Sequence, residues 1–359
     1  MLPRPETDCR SMLTVSISPA EAAAMGMIIE AVESVIGMPA YQQVVMGHAQ
    51  TICRHDPGPL GCLLGYDFHL GPRGPVLIEI NTNAGGALLC CKPTPHLEQS
   101  LLAMFRQEWE LAGTGRPLTR VAIIDDEPER QFLLPEFQLF QALFQRHGIM
   151  AHIAAPEQLS YRDGHLWLER EIVDLVYNRL TDFTLAEDAH APLREAYLAN
   201  AVVVTPHPHA HALYADKRNF ELLCNPEALG ELGVSAELSA NLVGAIPQTT
   251  MVKAENADAL WQQRRQLFFK PAHGYGSKGT YNGEKLTRRV WAQLPESDYV
   301  AQQRVPPSRL IGPAGELKVD LRHYTYAGQT LLRAARLYRG QTTNLRTPGG
   351  GFARVEVGE

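Results

Sequence analysis

Residues 77–87 read "LIEINTNAGGA", an apolar run that carries an acid and an amide into a turn of small residues. Glu79 and Asn81 are two positions apart, so on a β-strand both side chains point to the same face. Carboxylate and amide oxygens side by side are ligands that Mg²⁺ prefers in proteins. This stretch therefore predicts half of a magnesium site at the end of a strand.

A hairpin and a helix are predicted around this stretch. Residues 62–70 and 74–82 are strand-like and are joined by "GPRG", which favours a β-hairpin. Farther upstream, Ser18 is predicted as an N-cap, with Pro19 at the first helical position and Glu21 at the third. Apolar residues then recur at helical spacing, which indicates an amphipathic helix.

A glycine-rich loop dominates residues 267–283, "LFFKPAHGYGSKGTYNG", and fits G-x-G-x-x-G through Gly274, Gly276 and Gly279. The dinucleotide-binding form of this motif needs a helix directly afterwards, but here an Asn-Gly turn follows within four residues. No Gly-Lys-Ser/Thr closes the loop as in Walker A, and no H-R-D or D-F-G follows as in protein kinases. The pattern predicts two strands with a glycine flap whose N–H groups close over phosphates beside Lys270.

A short strand ending in polar residues is predicted from "DYVAQQRVPP", residues 298–307. Such a strand can offer backbone groups to the edge of an adenine, and Gln302 or Gln303 could then reach the ribose. Taken alone, this segment favours an exposed edge strand. Its interpretation depends on the elements that surround it.

The C-terminal part alternates strand, glycine turn and strand over "LKVDLRHYTYAGQTLLRAARLYRG", residues 317–340. Asp320 and Arg322 share one face of the first of these strands. The segment "TTNLRTPGGG" then places Asn344 ahead of three glycines.

Between these parts, residues 116–205 alternate short apolar strands with helical segments, which predicts a small parallel α/β unit. One predicted strand is "IVDLVYNR", residues 172–179, and "YNRLTDF", residues 177–183, lies at its end. Parallel sheets present ligand-binding groups at the carboxyl ends of their strands. Asn178 and Arg179 are therefore candidate substrate contacts.

The composition is that of an ordinary globular protein, with 45% hydrophobic and 20% charged residues in 359. A net charge of −6 argues against a nucleic-acid partner. No basic segment with an apolar core opens the chain, and no apolar run of about 18 residues follows, so we expect no signal peptide and no membrane partner. The six cysteines show no C-x-x-C spacing and are expected to stay reduced in the cytoplasm.

Three histidines at alternating positions, in "TPHPHAHAL", leave two interpretations open. A transition-metal site would use such a spacing. No acid or cysteine partner is visible nearby, which favours a polar loop near a cleft. The histidines concerned are His207, His209 and His211.

The order of these motifs resembles the ATP-grasp superfamily: a Lys-Pro strand with a glycine flap, a hinge strand, Asp-x-Arg, then Arg, Asn and Gly-Gly. Residues 319–350 are similar in layout to the matching stretch of glutathione synthetase and of the glutamate ligases that modify ribosomal proteins. In those enzymes a metal-binding Asp and Glu-x-Asn come next. Here the similar stretch, "GYDFHLGPRGPVLIEINTNAGGA", lies at residues 65–87. The chain thus resembles the circularly permuted members, such as glutathionylspermidine synthetase.

This resemblance implies an α/β fold in which a circularly permuted, α+β ATP-grasp domain is combined with a small Rossmann-like pre-ATP-grasp domain. Permutation requires only that the termini and a surface loop exchange roles. The expected parts are a metal-binding half at 1–115, the α/β domain at 116–205 and a lysine and glycine-flap half at 206–359.

The implied function is that of an ATP- and Mg²⁺-dependent ligase, which joins a carboxylate to an amine through an acyl phosphate and releases ADP and phosphate. One or two Mg²⁺ ions, replaceable by Mn²⁺, are implied. The implied metal ligands are Asp67, Glu79 and Asn81. The implied nucleotide-binding residues are Lys217, Lys270, Gly274, Gly276, Ser277, Gly279, Gln302 and Gln303. The implied catalytic residues, which would clamp the transferring phosphate, are Arg322, Arg336 and Asn344.

Other functions remain open from the sequence. The same scaffold could transfer phosphate to a hydroxyl, or the chain could be a non-catalytic nucleotide-binding module; a dehydrogenase is the weakest alternative. Gln302 and Gln303 stand where many ATP-grasp enzymes carry an acid on the ribose. The substrates are expected to be a small-molecule or peptide carboxylate and an amine, and the oligomeric state is not indicated.

Overall fold

The computed structural model describes residues 10–274, 279–313, 315–341, 343–345 and 347–358. Its strands, in chain order, are β1 (Arg10–Ile17), β2 (Leu64–Gly71), β3 (Gly74–Asn81), β4 (Arg120–Ile124), β5 (Met150–Ala154), β6 (Leu159–Arg162), β7 (His165–Leu168), β8 (Glu171–Ile172), β9 (Leu175–Asn178), β10 (Val203–Thr205), β11 (Thr249–Met251), β12 (Leu267–Pro271), β13 (Tyr281–Asn282), β14 (Tyr299–Gln303), β15 (Ser308–Gly312), β16 (Gly315–Tyr326), β17 (Gln329–Tyr338) and β18 (Gly351–Val357). Its α-helices are α1 (Pro19–Ile36), α2 (Pro39–His48), α3 (Pro95–Leu111), α4 (Leu134–Arg146), α5 (Ala191–Leu198), α6 (Pro208–Tyr214), α7 (Asn219–Leu223), α8 (Pro226–Glu231), α9 (Ala236–Ala245), α10 (Ala257–Gln263) and α11 (Arg288–Trp291).

The largest sheet is built from both ends of the chain. Its order is β1-β18-β17-β16-β2-β3, and β15 pairs with β16 beside this path. β2 and β3 form the predicted antiparallel hairpin, and β2 also runs antiparallel to β16. The strand that carries "EIN" near the N-terminus therefore belongs to the same sheet as the strand that carries "DLR" near the C-terminus.

Alternation along these strands separates an apolar face from a polar one. In β2, Tyr66 and Phe68 enter a core formed with α1 and α9, whereas Asp67 and His69 point to the opposite face. Full burial of a side chain such as Phe68 contributes roughly 2 kcal/mol, so a one-residue slip of this strand is strongly disfavoured. Leu321 of β16 belongs to the same core.

The predicted helix at the N-terminus begins as the sequence indicates. Ser18 accepts the N–H of Glu21, and the Glu21 carboxylate accepts the N–H of Ser18, which is a complete capping box before α1. Among the described residues, no single helix is long and apolar enough to cross a membrane; α1 and α2 meet those criteria only when taken together across a 74° bend.

A four-stranded parallel sheet, in the order β10-β9-β4-β5, forms the predicted α/β unit. Alternate residues of β4 pack toward α3 and α4 on one side and toward α5 on the other. The single strand predicted over "IVDLVYNR" is divided into β8 and β9. The intervening Asp174 accepts the N–H groups of Thr119 and Arg120, and this anchor interrupts the strand.

The β6–β7 hairpin was not predicted. Its turn is Asp163-Gly164, with φ of 53° and 74°, the two positive values that a type I′ hairpin turn requires. An Asp-Gly pair between alternating apolar residues was the available signal.

A second four-stranded sheet, β11-β14-β12-β13, carries the glycine loop. β12 and β13 are antiparallel, with Phe269 opposite Tyr281, so two strands flank the loop as predicted. The mixed α/β class expected from the sequence is confirmed by this set of sheets. The division of the chain at residues 115 and 205 stays a prediction.

Candidate active site

A cavity lies between the large sheet and the sheet that carries the glycine loop. Its lining residues come from β2, β3, β12, β14, β16, β17 and the segments beside them. They are His69, Ile78, Glu79, Lys217, Phe268, Lys270, Pro271, Gly274, Thr280, Gln302, Gln303, Val305, Asp320, Arg336, Tyr338, Gln341 and Thr343. Seven of the residues predicted from the sequence are thus brought to one place: Glu79, Lys217, Lys270, Gly274, Gln302, Gln303 and Arg336.

Asp67 lies beneath this cavity and is held by two arginines. Arg322 lies opposite Asp67 in the register of β16 and β2, and it donates Nε to Oδ1 at 2.6 Å and a terminal nitrogen to Oδ2 at 2.7 Å. Arg336 donates to the same Oδ2 at 2.8 Å. The Asp67 side chain is 0% exposed. A metal ion could reach this carboxylate only if it displaced arginine contacts, so its predicted role as a metal ligand requires a rearrangement.

Glu79 is the carboxylate that faces the cavity from the "EIN" strand. Its side chain is 26% exposed, and its Oε1 lies 3.2 Å from Nζ of Lys217. Burial raises the pKa of Glu79, but the charges of Lys217, Lys270 and the two arginines outweigh it and lower the pKa to about 2. Glu79 is therefore ionised at neutral pH and available to a cation.

Asn81 lies beside Glu79 on the same face, as the spacing predicts. Its amide nitrogen donates to Asp67 Oδ2 at 3.0 Å, which directs the amide oxygen away from that carboxylate. Hard oxygen donors of this kind suit Mg²⁺. Among the described residues, however, no group of three or more His, Cys, Asp or Glu side chains forms a metal site. Glu79 and Asn81 could supply two ligands, and phosphate and water would have to supply the others.

Lys270 reaches the cavity from β12 and has neutral partners. Its Nζ donates to Oε1 of Gln302 at 2.7 Å and to the carbonyl of Ile78 at 3.3 Å. Gln302 in turn donates to Thr249 at 3.2 Å, so its amide is fixed with the oxygen toward the lysine. Gln302 thus orients the ammonium group of Lys270. Gln303, which is exposed, remains the candidate for contact with the ribose.

Lys217 is the second lysine that lines the cavity, and it lies beside Glu79. Its ammonium also donates to the carbonyl of Gly274 at 2.7 Å, and this bond ties the lysine to the start of the glycine loop. At the end of the loop Gly279 has a φ of +68°, and its carbonyl accepts the hydroxyl of Tyr299 at 3.0 Å. The predicted contacts of Gly276 and Ser277 lie outside the described residues.

A network centred on Asp320, which was not predicted from the sequence, lies at the cavity wall. Oδ1 accepts His69 Nε2 at 2.7 Å and the hydroxyl of Tyr338 at 2.9 Å. Oδ2 accepts Thr343 at 2.6 Å and Arg336 at 3.2 Å. Burial raises the pKa of Asp320, but the hydrogen bond from His69 and the charge of Arg336 hold it well below its usual range.

The two-residue period of side chains on one face of a β-strand could have predicted this network. His69 is two positions from Asp67, Asp320 is two from Arg322, and Tyr338 is two from Arg336. Thr343, rather than its predicted neighbour Asn344, lines the cavity. Asn344 itself is exposed.

A loop behind the "EIN" strand connects the cavity to the α/β unit. Asn83 donates to the carbonyls of Arg179 and Leu180 at 2.7 and 2.9 Å. Arg179 is 4% exposed, and its Nε has no partner among the described residues. Asn178 is also buried and donates to the carbonyl of Pro206. The two candidate substrate contacts therefore lie at the carboxyl end of β9, next to the loop that follows Asn81.

The three alternating histidines have separate partners. His207 contacts the carbonyl of Pro59 at 2.9 Å, and His209 contacts the carbonyl of Cys53 at 2.7 Å. His211 contacts the hydroxyl of Thr82 at 3.0 Å. Within the part of the chain that the structure describes they form no metal cluster.

Comparison with solved structures finds the same architecture at low sequence identity. A glutathione synthetase-like effector from Globodera pallida superposes with a TM-score of 0.56 at 10% identity, over 97% of this chain and 89% of its own. A putative γ-glutamylcysteine synthetase from Methylobacillus flagellatus KT superposes with a TM-score of 0.53 at 10% identity, over 92% and 84%. No protein-family model matches the chain, and no curated protein matches its sequence. The chain shares the overall fold of these two proteins, which confirms the mixed α/β fold class predicted from the sequence.

Proposed function

We propose that this chain is an ATP- and Mg²⁺-dependent ligase that joins a carboxylate to an amine through an acyl phosphate. The observation that carries the proposal is the charge of the cavity wall. Lys217, Lys270 and Arg336 face the cavity, and Glu79 is the lining carboxylate that is not saturated by hydrogen bonds within the described residues. Such a wall suits a polyanion that arrives together with a divalent cation.

The triphosphate would lie along the three cations. Lys217 and Lys270 carry point charges suited to phosphate oxygens, and Arg336 offers a planar fork. Nε of Arg336 is buried without a hydrogen-bond partner among the described residues. A phosphate oxygen at this position would satisfy it, because an unpaired buried donor costs about 1–3 kcal/mol.

Glu79 and the amide oxygen of Asn81 would hold Mg²⁺, which neutralises phosphate charge and orients the phosphates when bound. In the structure Glu79 is paired with Lys217 at 3.2 Å. In the proposed complex these two side chains separate, with the carboxylate on the cation and the ammonium on a phosphate. Asp67 keeps Arg322, Arg336 and Asn81 oriented from below.

The proposed reaction has two steps. A carboxylate oxygen of the first substrate attacks the γ-phosphorus and expels ADP, and the amine then attacks the acyl carbon and expels phosphate. Arg322 and Arg336 would stabilise the charge on the transferring phosphoryl group. The glycine loop would close over the phosphates and exclude water, which otherwise hydrolyses the acyl phosphate.

Arg179 and Asn178 remain candidate contacts for the carboxylate substrate. Arg179 lies against the loop that begins at Asn81, with its terminal nitrogen near Gly85. The carbonyl of Gly85 accepts Tyr324 at 2.7 Å and Arg322 at 3.5 Å. This loop therefore connects the buried arginine of the α/β unit to the arginine below the cavity, which supports a substrate position between them.

The circular permutation is part of this proposal. It is supported by the register of the large sheet, in which Asp67 lies opposite both Glu79 and Arg322. A metal-binding hairpin from the start of the chain thereby completes a site whose other strands come from its end. In an unpermuted arrangement the hairpin would follow β18 in the chain and occupy the same place in space.

Trapping of the acyl phosphate tests the reaction. The full chain would be incubated with ATP, Mg²⁺, candidate carboxylates and hydroxylamine, and acyl hydroxamate and ADP would be measured. Hydroxamate formation supports the ligase. ADP formed only with a hydroxyl acceptor would indicate a phosphotransferase, and tight nucleotide binding without turnover would indicate a binding module. Lys270→Ala should abolish both products, whereas Lys253→Ala, at an exposed lysine, should change neither.

A further inference from the structure

His69 and Asp320 form a closed network at the edge of the cavity. His69 Nδ1 contacts the carbonyl of Val305 at 2.7 Å, and Nε2 contacts Asp320 at 2.7 Å. A carbonyl oxygen only accepts, and so does an ionised carboxylate. Each nitrogen of the His69 ring thus faces an acceptor, and the ring bridges the end of β14 and the carboxylate of β16.

Asp320 has no capacity left for a ligand. Each of its oxygens already accepts two hydrogen bonds, from His69 and Tyr338 on one side and from Thr343 and Arg336 on the other. It is 1% exposed. Although Asp320 lines the cavity, it cannot bind a metal ion or a ribose hydroxyl without losing one of these partners. Asp320 therefore acts through these four hydrogen-bond partners.

The partner that matters for an anion is Arg336. The bond from Arg336 to Asp320, at 3.2 Å, is longer than its bond to Asp67, at 2.8 Å. The guanidinium is thus held by one terminal nitrogen between two carboxylates, while Nε has no hydrogen-bond partner within the described residues. If Asp320 lost the hydrogen bond from His69, Arg336 would become its main partner and would be drawn toward it.

We propose that His69 is a positioning residue, which saturates Asp320 and so leaves Arg336 free to bind a phosphate. The phosphate is that of a nucleotide or of an acyl phosphate, and this inference rests on the proposed function. His69 also links the two ends of the cavity, because Val305 follows the strand that carries Gln302 and Gln303.

Two substitutions separate the two bonds of His69. The amide nitrogen of asparagine occupies the position of Nδ1, so His69→Asn keeps a donor toward Val305 and loses the one to Asp320. The longer glutamine does the reverse, so His69→Gln keeps the donor toward Asp320. The exposed His96 provides a matched control as His96→Asn.

The test is calorimetric binding of inorganic tripolyphosphate to the full chain at pH 8, with thermal unfolding of each variant. At pH 8, His69→Asn should bind about tenfold more weakly, and His69→Gln should stay within about threefold of the wild type. In an Asp320→Asn background, adding His69→Asn should change binding less than about twofold, because the competing carboxylate is gone. His96→Asn should leave binding unchanged.

Equal weakening by His69→Asn and His69→Gln, or full additivity with Asp320→Asn, would overturn the proposal. Binding of neither tripolyphosphate nor an ATP analogue by the wild type would also overturn it. Binding of tripolyphosphate without the ATP analogue would reject the proposed function alone, since the comparison of the His69 variants would still stand.

Discussion

Arg322 donates two hydrogen bonds to Asp67 across neighbouring strands, although 255 positions separate them in the chain. Both side chains are almost fully buried, at 6% and 0% exposure. A bidentate arginine–carboxylate pair fixes distance and orientation together. The N-terminal and C-terminal halves of the large sheet are thus locked at the position where the cations meet the cavity.

Removing the charge of Asp67 should destabilise the whole fold. Asp67→Asn leaves Arg322 and Arg336 without their shared counter-ion in a buried place, which costs about 3–5 kcal/mol. The free energy of urea unfolding measures this loss. Glu356→Gln is the control, because its pair with Arg354 is exposed and should contribute less than about 0.5 kcal/mol. A loss below about 1 kcal/mol for Asp67→Asn would contradict the buried pair.

Removal of the metal ion should reveal the role of Glu79. We expect the wild type to bind a non-hydrolysable ATP analogue at least about tenfold more tightly with Mg²⁺ than with a chelator. Glu79→Gln should lose this difference, because it removes a carboxylate ligand. Its metal-free binding should be equal or tighter, since Lys217 is released from its ion pair.

Calorimetry with and without Mg²⁺ checks this prediction, with Glu255→Gln as a control at an exposed acid. The opposite pattern, a Glu79→Gln variant that keeps the full response to Mg²⁺, would remove Glu79 from the metal site.

Stability should fall at alkaline pH because of His190. This histidine lies between Asp182, 2.8 Å from Nδ1, and Asp126, 3.0 Å from Nε2. Burial lowers the pKa of His190, but the two carboxylates outweigh it and raise the pKa to about 9 from an ordinary 6.5. A raised pKa stabilises the fold fully below pH 6.5, and the contribution is lost as the pH rises through 9.

The size of this effect is on the order of 2 kcal/mol, because Asp126 is partly exposed and its attraction is screened. Urea unfolding at pH 6, 8 and 10 should show the wild type approaching the stability of His190→Gln at the highest pH. Parallel pH profiles for the two proteins would mean that His190 is neutral in the folded state.

Gly86 should tolerate no side chain. Its φ is +100°, and an added Cβ would lie 2.0 Å from the ring of Phe352, which is itself fully buried. Gly86→Ala should therefore cost more than about 3 kcal/mol through strain and overpacking. Gly113→Ala is the matched control, because Gly113 also has a positive φ but nothing lies within 4 Å of its Cβ position. It should cost about 1 kcal/mol.

Thermal and urea unfolding of both glycine variants would measure these costs. Gly86 begins the segment whose N–H groups are bound by Glu136, at 2.8 Å for Gly86 and 3.1 Å for Leu88. If Gly86→Ala folds, we expect weaker nucleotide binding as well, because this loop follows Asn81. Similar losses of stability for the two glycine variants would show that the contact with Phe352 is unimportant.

Local signals in the sequence predicted the secondary structure around the site. The capping box at Ser18, the hairpin at residues 64–81 and the two strands around the glycine loop depend on neighbouring residues, so they can be identified without a fold. Where a residue binds a distant segment, as Asp174 binds Thr119 and Arg120 between β8 and β9, the prediction of a single strand was wrong. The Asp163-Gly164 turn was a local signal that was overlooked.

The sequence alone determined which side chains lie on the same face of a strand, since side chains alternate between the two faces with a fixed period of two residues. That was enough to put Glu79 beside Asn81 and Asp320 beside Arg322. Only the tertiary structure decided which of these groups are available to a ligand. Asp67 accepts hydrogen bonds from two arginines, and the amide oxygen of Gln302 is turned toward Lys270. Asp320 accepts hydrogen bonds from four donors. These pairings depend on the register between strands that are far apart in the chain, and no local pattern encodes that register.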